Sequence, residues 1–219
     1  MNKNIVIVDY GMGNIFSIKS AFEFCGAIVK ISSDPDVISR ANKLILPGVG
    51  SFPDAMDEIK KTGIQDALNF FVSKDKPILG ICLGMQIFLD ESSEFGITKG
   101  LGFIPGRIIA IPSKDKIENP LKLPHVGWSH LVFNSKASSG ARKNSILDSI
   151  KPEDNFYFVH SYMAELENPL ANCVAIVEYG GYQIPAVIEK NNITGCQFHP
   201  EKSGNLGLKI ISNFLKKNE

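Results

Sequence analysis

The sequence predicts an α/β protein: an open, mostly parallel central sheet with helices on both faces, and an added strand-rich second half. Three observations carry that expectation. Up to residue 82, short and fully apolar runs alternate with stretches of helical periodicity, the pattern of βαβ units whose strands are buried on both faces. Glycine and proline punctuate the junctions between them. From about residue 107 onward strands crowd together, and helical periodicity returns only near the C-terminus.

Ile5-Val-Ile-Val8 is the first strand and stops at Asp9-Tyr-Gly-Met-Gly13. A helix follows over about 15–24 and ends near Gly26, and residues 27–31 form the second strand. Ser33-Asp34-Pro35 is an N-terminal helix signal, with proline tolerated in the first turn where its missing N–H has no partner to lose. That helix runs to about Ala41. Residues 43–46 are a third strand, closed by Pro47-Gly-Val-Gly50. Two helical stretches, about 53–61 and 64–73, break at Gly63, and residues 77–81 form a fourth strand that turns into a helix over 83 to about 89. Later strand candidates are 107–111, 126–133, 156–159, 173–179, 186–190 and 193–197, with a final helix over about 206–216. Residues 112–124, rich in Lys and Pro, and 134–144, rich in Ser, Lys and Gly, read as exposed loops. No repeat or linker interrupts the chain, so residues 1–219 are expected to form one domain, a length that supports one good core.

Lysine plus arginine number 23, as do aspartate plus glutamate, and this balance argues against nucleic acid or an anionic membrane as the main partner. A near-zero net charge does tolerate association with another protein. The N-terminus has no signal-peptide core, and no apolar run approaches the ~18 residues of a membrane span, so a cytoplasmic protein is expected. The four cysteines stand singly, without Cys-x-x-Cys or zinc spacing, so free thiols and no metal or cofactor are expected. Cys25, Cys173 and Cys196 read as small buried residues.

Cys82 is different. In Pro77-Ile-Leu-Gly-Ile-Cys-Leu-Gly-Met-Gln86 a strand passes through Gly-x-Cys-x-Gly into a helix, the form of a nucleophile elbow. Gly80 and Gly84 lack a Cβ, so strand and helix can approach around a strained turn. The sulfur projects at that turn, where a helix N-terminus favours the nucleophilic thiolate. A cysteine nucleophile needs a base, and the base an orienter. His199 stands in Gly195-Cys-Gln-Phe-His-Pro-Glu-Lys-Ser203, where an apolar strand runs out and Pro200 stops it. Glu201 can fold back onto the second imidazole N–H. Both Cys82 and His199 follow strands, at the end where open parallel sheets form active sites. Pro47-Gly-Val-Gly-Ser51 can aim backbone N–H groups at a developing oxyanion: the Leu83 amide would be one donor, and Val49 or Gly50 the other. Each piece alone has a plainer reading, as a tight structural turn at Cys82, a satisfied surface turn at His199 and a surface loop at 47–51. A phosphate loop is disfavoured because no Gly-Lys-[Ser/Thr] follows. His125, His130 and His160 read as structural or tautomer-locked.

Gly80-Ile-Cys-Leu-Gly-Met-Gln86 together with Gln197-Phe-His-Pro-Glu-Lys-Ser203 resembles the class I (triad) glutamine amidotransferases. Four further pieces resemble, more narrowly, the glutaminase subunits of imidazole glycerol phosphate synthase: Asp9-Tyr-Gly-Met-Gly-Asn14, Pro47-Gly-Val-Gly-Ser-Phe52, Leu123-Pro-His-Val-Gly-Trp128 and Tyr157-Phe-Val-His-Ser-Tyr162. The resemblance spans nearly the whole chain. It implies that Cys82 attacks the side-chain amide of glutamine, that His199 held by Glu201 shuttles the proton, and that a thioester is hydrolysed to glutamate. It implies Gln86 as a glutamine-binding residue, with Glu94, Tyr157, Ser161 and Tyr162 as further candidates. It also implies a heterodimer with a (β/α)8 barrel synthase subunit. The barrel would receive the ammonia and make imidazole glycerol phosphate and aminoimidazole carboxamide ribotide in histidine biosynthesis.

On the same basis Asn14, Trp128 and Lys202 become candidates for the partner face. Their plainer readings are a helix cap, a core tryptophan and a solvated lysine. Two features depart from the family: Ser129 follows Trp128 where asparagine is more usual, and the stretch between Cys82 and His199 is long. A paralogous subunit feeding ammonia to an enzyme that amidates a surface sugar, a catalytically silent scaffold and a stand-alone cysteine hydrolase are the other readings.

Overall fold

Consecutive residues of the first strand feed two different cores. In the computed structural model, which describes residues 4–133 and 145–217, strand β1 (Asn4–Val8) sends Val6 and Val8 to one face of a sheet and Ile5 and Ile7 to the other. The period-2 alternation of a strand explains the split, and an all-apolar sequence is what burial on both faces demands. The expected loop at 134–144 lies outside the described residues.

The chain continues through α1 (Ile15–Phe24), β2 (Ile28–Ser32), α2 (Pro35–Arg40), β3 (Leu44–Leu46), α3 (Phe52–Lys61), α4 (Ile64–Ser73), β4 (Ile78–Ile81) and α5 (Leu83–Gln86). The strand-rich part holds β5 (Glu91–Ser92), β6 (Thr98–Lys99), β7 (Gly106–Ala110), β8 (His125–His130), β9 (Val132–Phe133), β10 (Asn155–His160), β11 (Tyr162–Leu166), α6 (Pro169–Asn172), β12 (Cys173–Tyr179), β13 (Tyr182–Lys190) and β14 (Ile193–Cys196). A 3-10 turn (Pro200–Lys202) leads into α7 (Gly204–Lys216).

The main sheet has eight strands in the order β2-β1-β3-β4-β14-β13-β12-β9. From β2 to β14 neighbours are parallel, and from β14 to β9 they are antiparallel. On one face Ile38 of α2, Phe52 and Met56 of α3, and Leu68 and Phe71 of α4 close a core. On the other, Ile18 and Phe22 of α1 and Ile210 and Phe214 of α7 close a second, joined by Phe156 and Phe158 of β10. Two small sheets, β10-β8 and β11-β7-β5-β6, form the added part. The fold is thus the expected mostly parallel α/β sheet with helices on both faces and a strand-rich second half.

Four expectations need correction. The elbow helix ends at Gln86, not near Leu89: the amides of Phe88 and Leu89 turn to carbonyls three residues back, those of Met85 and Gln86, and the carbonyls of Ile87, Phe88 and Leu89 accept from the amides of residues 101–104. A continuing α-helix would need those two amides to bond four residues back. The single strand expected over 126–133 is two, bent at the fully buried Leu131: β8 pairs with β10, while β9 crosses to the main sheet beside β12. The strand expected from 186 begins at Tyr182, and β5, β6, β11 and α6 were not anticipated. Cys173 and Cys196 are buried free thiols as expected, but Cys25 is only half-buried, its Sγ 3.5 Å from the Leu208 carbonyl.

The parallel order matters for chemistry. Strands β3, β4 and β14 lie side by side, with Leu46 opposite Gly80 and Ile81 opposite Cys196. Their C-terminal ends therefore deliver three segments to one edge: the loop after Leu46, Cys82 after Ile81, and Gln197-Phe-His after Cys196. Among the described residues no helix is long and apolar enough to cross a membrane.

Candidate active site

Cys82 occupies a backbone conformation that side chains rarely adopt, with φ 54° and ψ −112°. Such strain persists only where the surroundings over-determine it. Here they do. The Cys82 amide donates to the Cys196 carbonyl at 2.8 Å, and the Cys82 carbonyl accepts from Met85 and Gln86 at 3.0 and 3.2 Å. A Cβ on Gly84 would fall 1.9 Å from the Leu46 carbonyl oxygen, and one on Gly80 would fall 2.5 Å from the Gly84 oxygen. Strand and helix are therefore in backbone contact on both sides of the cysteine. Leu83 and Gly84 open the helix, so their amides have no intrahelical acceptor.

His199 Nδ1 lies 2.8 Å from Glu201 Oε1, and both side chains are buried. A carboxylate only accepts, so Nδ1 carries the proton and Nε2 is left to exchange one. Nε2 and the second carboxylate oxygen, Oε2, are buried without a hydrogen-bond partner. Burial opposes charge on the imidazole, but Cys82 and Glu201 together outweigh it and push the His199 pKa up to about 9. The histidine backbone is fixed as well: its N–H donates to the Tyr157 carbonyl at 2.9 Å, and its carbonyl accepts from Ser203 Oγ at 2.7 Å.

The loop after β3 is pinned at both ends and open in the middle. Tyr10, buried behind it, donates its hydroxyl to the Pro47 carbonyl at 2.6 Å, and burial followed by the charge of Cys82 drives its pKa well above the ordinary tyrosine value. A Cβ on Gly48 would lie 2.7 Å from that same hydroxyl. At the far end Ser51 caps α3, and the Phe52 amide donates to Glu94 Oε2 at 2.7 Å. Between these anchors Val49 is exposed and Gly50 has φ 107°.

A cavity of about 290 Å³ joins the pieces. Val49, Gly50, Cys82, Leu83 and His199 line it, as do Gln86, Glu94, Ser161 and Tyr162. Tyr157 does not: its ring packs edge-on against Trp128 at 5.9 Å, with Lys202 Nζ 5.9 Å above it. Trp128 is 57% exposed and so is no core residue. Asn14 accepts from the Ser17 amide at 3.4 Å as the cap of α1 and is exposed.

Val159 and His160 also line the cavity and were not anticipated there. The alternation of β10, with Phe156, Phe158 and His160 all buried on one face, is the sequence signal that points His160 inward. Its role is set by a chain of bonds. His160 Nδ1 donates to the Tyr162 carbonyl at 2.9 Å, which leaves Nε2 to accept from His125 Nδ1 at 3.1 Å and His125 Nε2 to accept from Ser129 Oγ at 3.1 Å. Burial lowers the pKa of both histidines, that of His160 to about 4, so the pair is neutral and its tautomers are locked. His130 is exposed at the end of β8.

The family model described as glutamine amidotransferase class-I matches residues 6–218. The imidazole glycerol phosphate synthase subunit HisH 1 of Legionella pneumophila (strain Lens) is 43% identical over 213 residues, 97% of this chain and 99% of its own. The subunit HisH of Caldanaerobacter subterraneus subsp. tengcongensis is 45% identical over 210 residues, 96% of each chain. Two solved structures from Thermotoga maritima share the fold at low identity. PurLQS is 18% identical, with a TM-score of 0.70 over 98% of each chain. A glutamine amidotransferase is 13% identical, with a TM-score of 0.60 over 92% of this chain and 77% of that one. The chain belongs to the class-I glutamine amidotransferases and, within them, to the HisH family of imidazole glycerol phosphate synthase subunits.

Proposed function

We infer that this chain, as one domain over residues 1–219, is the cytoplasmic glutaminase of a two-subunit synthase. It would hydrolyse glutamine at Cys82 and hand the ammonia to a (β/α)8 barrel partner, which makes imidazole glycerol phosphate and aminoimidazole carboxamide ribotide in histidine biosynthesis. The observation that carries the reading is Cys82 at a strained turn, sharing one cavity with a histidine whose other nitrogen is held by a buried glutamate. That cavity is at the small end of the ~300–1,000 Å³ range of ligand sites, which suits a single amino acid.

In this mechanism the Cys82 sulfur attacks Cδ of glutamine, and the carbonyl oxygen becomes an oxyanion facing the Leu83 amide and the Val49–Gly50 backbone. His199, protonated at neutral pH by its raised pKa, gives its Nε2 proton to the departing nitrogen, so the C–N bond breaks and ammonia leaves. A γ-glutamyl thioester remains on Cys82. Water, deprotonated by the now neutral His199, attacks it; the C–S bond breaks and glutamate is released. Gln86, Glu94, Ser161 and Tyr162 hold the substrate from the cavity wall. Asn14, Trp128 and Lys202 face the partner.

The test uses the assembled complex. Cys82→Ala is expected to abolish glutamine-dependent synthesis while leaving synthesis driven by added ammonium salt within about twofold of wild type. Loss of both, in a complex that still forms, would rule out separate glutaminase and synthase sites. The chain by itself is expected to release glutamate far more slowly than the complex; equal rates would favour a stand-alone hydrolase.

A further inference from the structure

We propose that Gln197 is the hydrogen-bond donor that holds the Cys82 sulfur in its reactive state, a positioning role that rests on the glutaminase reading. Gln197 is fully buried at the end of β14, where its amide group must find partners. Its Nε2 lies 3.6 Å from Cys82 Sγ, and its Oε1 lies 3.0 Å from Gln86 Nε2. The direction of these bonds follows from chemistry. The Tyr162 carbonyl can only accept, and Gln86 Nε2 donates to it at 3.4 Å. That fixes the Gln86 amide, whose second N–H meets Gln197 Oε1. A reversed Gln197 would set two donors against each other. Its NH₂ is therefore aimed at the sulfur.

A donor discriminates between the two forms of cysteine. The thiol can satisfy itself by donating to the Val159 carbonyl, 3.8 Å from Sγ. The thiolate cannot donate and faces that carbonyl dipole unfavourably, so the Gln197 N–H favours it, alongside the charged His199 and the helix N-terminus. The same chain ties the cavity wall at Gln86 and Tyr162 to the nucleophile.

Gln197→Met keeps the volume and removes the amide. Gln197→Glu keeps the shape and an acceptor for Gln86, but sets a carboxyl oxygen against the sulfur. Two readouts are compared with wild type in folded protein: glutamate release by the complex with the barrel partner, and iodoacetamide alkylation of Cys82 followed by peptide mapping across pH. The expected result for Gln197→Met is a kcat about 10- to 100-fold lower with KM within about threefold, and a Cys82 alkylation profile displaced to higher pH. Gln197→Glu is expected to show the same losses, deepest where its carboxyl is ionised. A folded variant with kcat and alkylation profile within about twofold of wild type overturns the proposal. Failure of both variants to fold makes Gln197 a packing residue and overturns it equally. If wild type releases no glutamate yet the alkylation profile still moves, the glutaminase reading fails and the donor role stands.

Discussion

At the scale of single residues, the proposed chemistry turns on a histidine that two neighbours keep charged. Burial alone would strip the proton from His199, yet Cys82 and Glu201 hold its pKa at about 9. A folded-state pKa above the unfolded value of about 6.5 means that the stabilisation is complete below that pH and is lost as pH rises through about 9. The full effect is on the order of 3 kcal/mol. Chemical denaturation of the wild type between pH 6 and 9.5 should show this fall. In Cys82→Ala the strongest upward influence is gone, so the fall should be smaller and begin at lower pH, and the His199 imidazole signal in NMR should titrate lower. Identical pH slopes in the two proteins would mean that the cysteine does not charge the histidine.

At the scale of elements, the elbow depends on two glycines for a reason that can be measured. A methyl group on Gly84 would occupy the space of the Leu46 carbonyl, a rigid backbone atom at 1.9 Å. Gly84→Ala must therefore push β3 and α5 apart, at a cost of about 3 kcal/mol or more if the protein folds at all. Gly96 has a left-handed φ of 116° but nothing within 4 Å of a built Cβ, so Gly96→Ala should cost only the backbone strain, roughly 1–2 kcal/mol. Equal melting temperatures for the two variants would contradict close packing at the elbow. This crowding was legible in the sequence, because Gly-x-Cys-x-Gly after an apolar run leaves few other geometries. The parallel strands were legible for a related reason: burial on both faces writes an unbroken apolar run. What sequence hid was decided by distant partners. The segment just after α5 is held by the amides of residues 101–104 rather than continuing as helix, and β9 leaves β8 to pair with β12. β13 begins four residues before the expected 186 and carries Pro185 in register opposite Ile176 of β12. The role of Gln197 was hidden in the same way, since its two partners lie 111 and 115 positions away.

At the scale of the whole molecule, the surface proposed for the partner is mechanically close to the proposed triad. Trp128 and Lys202 converge on the Tyr157 ring, and the Tyr157 backbone is bonded on one side to the His199 amide and on the other to Ser203 Oγ. Helix α1, capped by Asn14, shares a groove with Glu201 through Phe16 and Ser17. An exposed tryptophan on a strand does little for the fold it leaves, and much for a partner that buries it. Trp128→Ala should therefore change the stability of the isolated chain by less than about 0.5 kcal/mol. The same change should weaken binding of the proposed barrel subunit by about 30-fold or more, the loss expected of a buried aromatic anchor. Calorimetric titration of the two subunits, beside thermal unfolding of the isolated chain, separates these effects. Unchanged affinity would remove Trp128 from the interface, and a large loss of stability would return it to the fold. Because Tyr157 holds the His199 amide, a docked partner that shifts this cluster would act directly on the proposed base, so glutamate release in the Trp128→Ala complex, measured at saturating partner, should still fall below wild type. Full activity at saturation would make Trp128 an anchor alone, with the base set independently of the docking face.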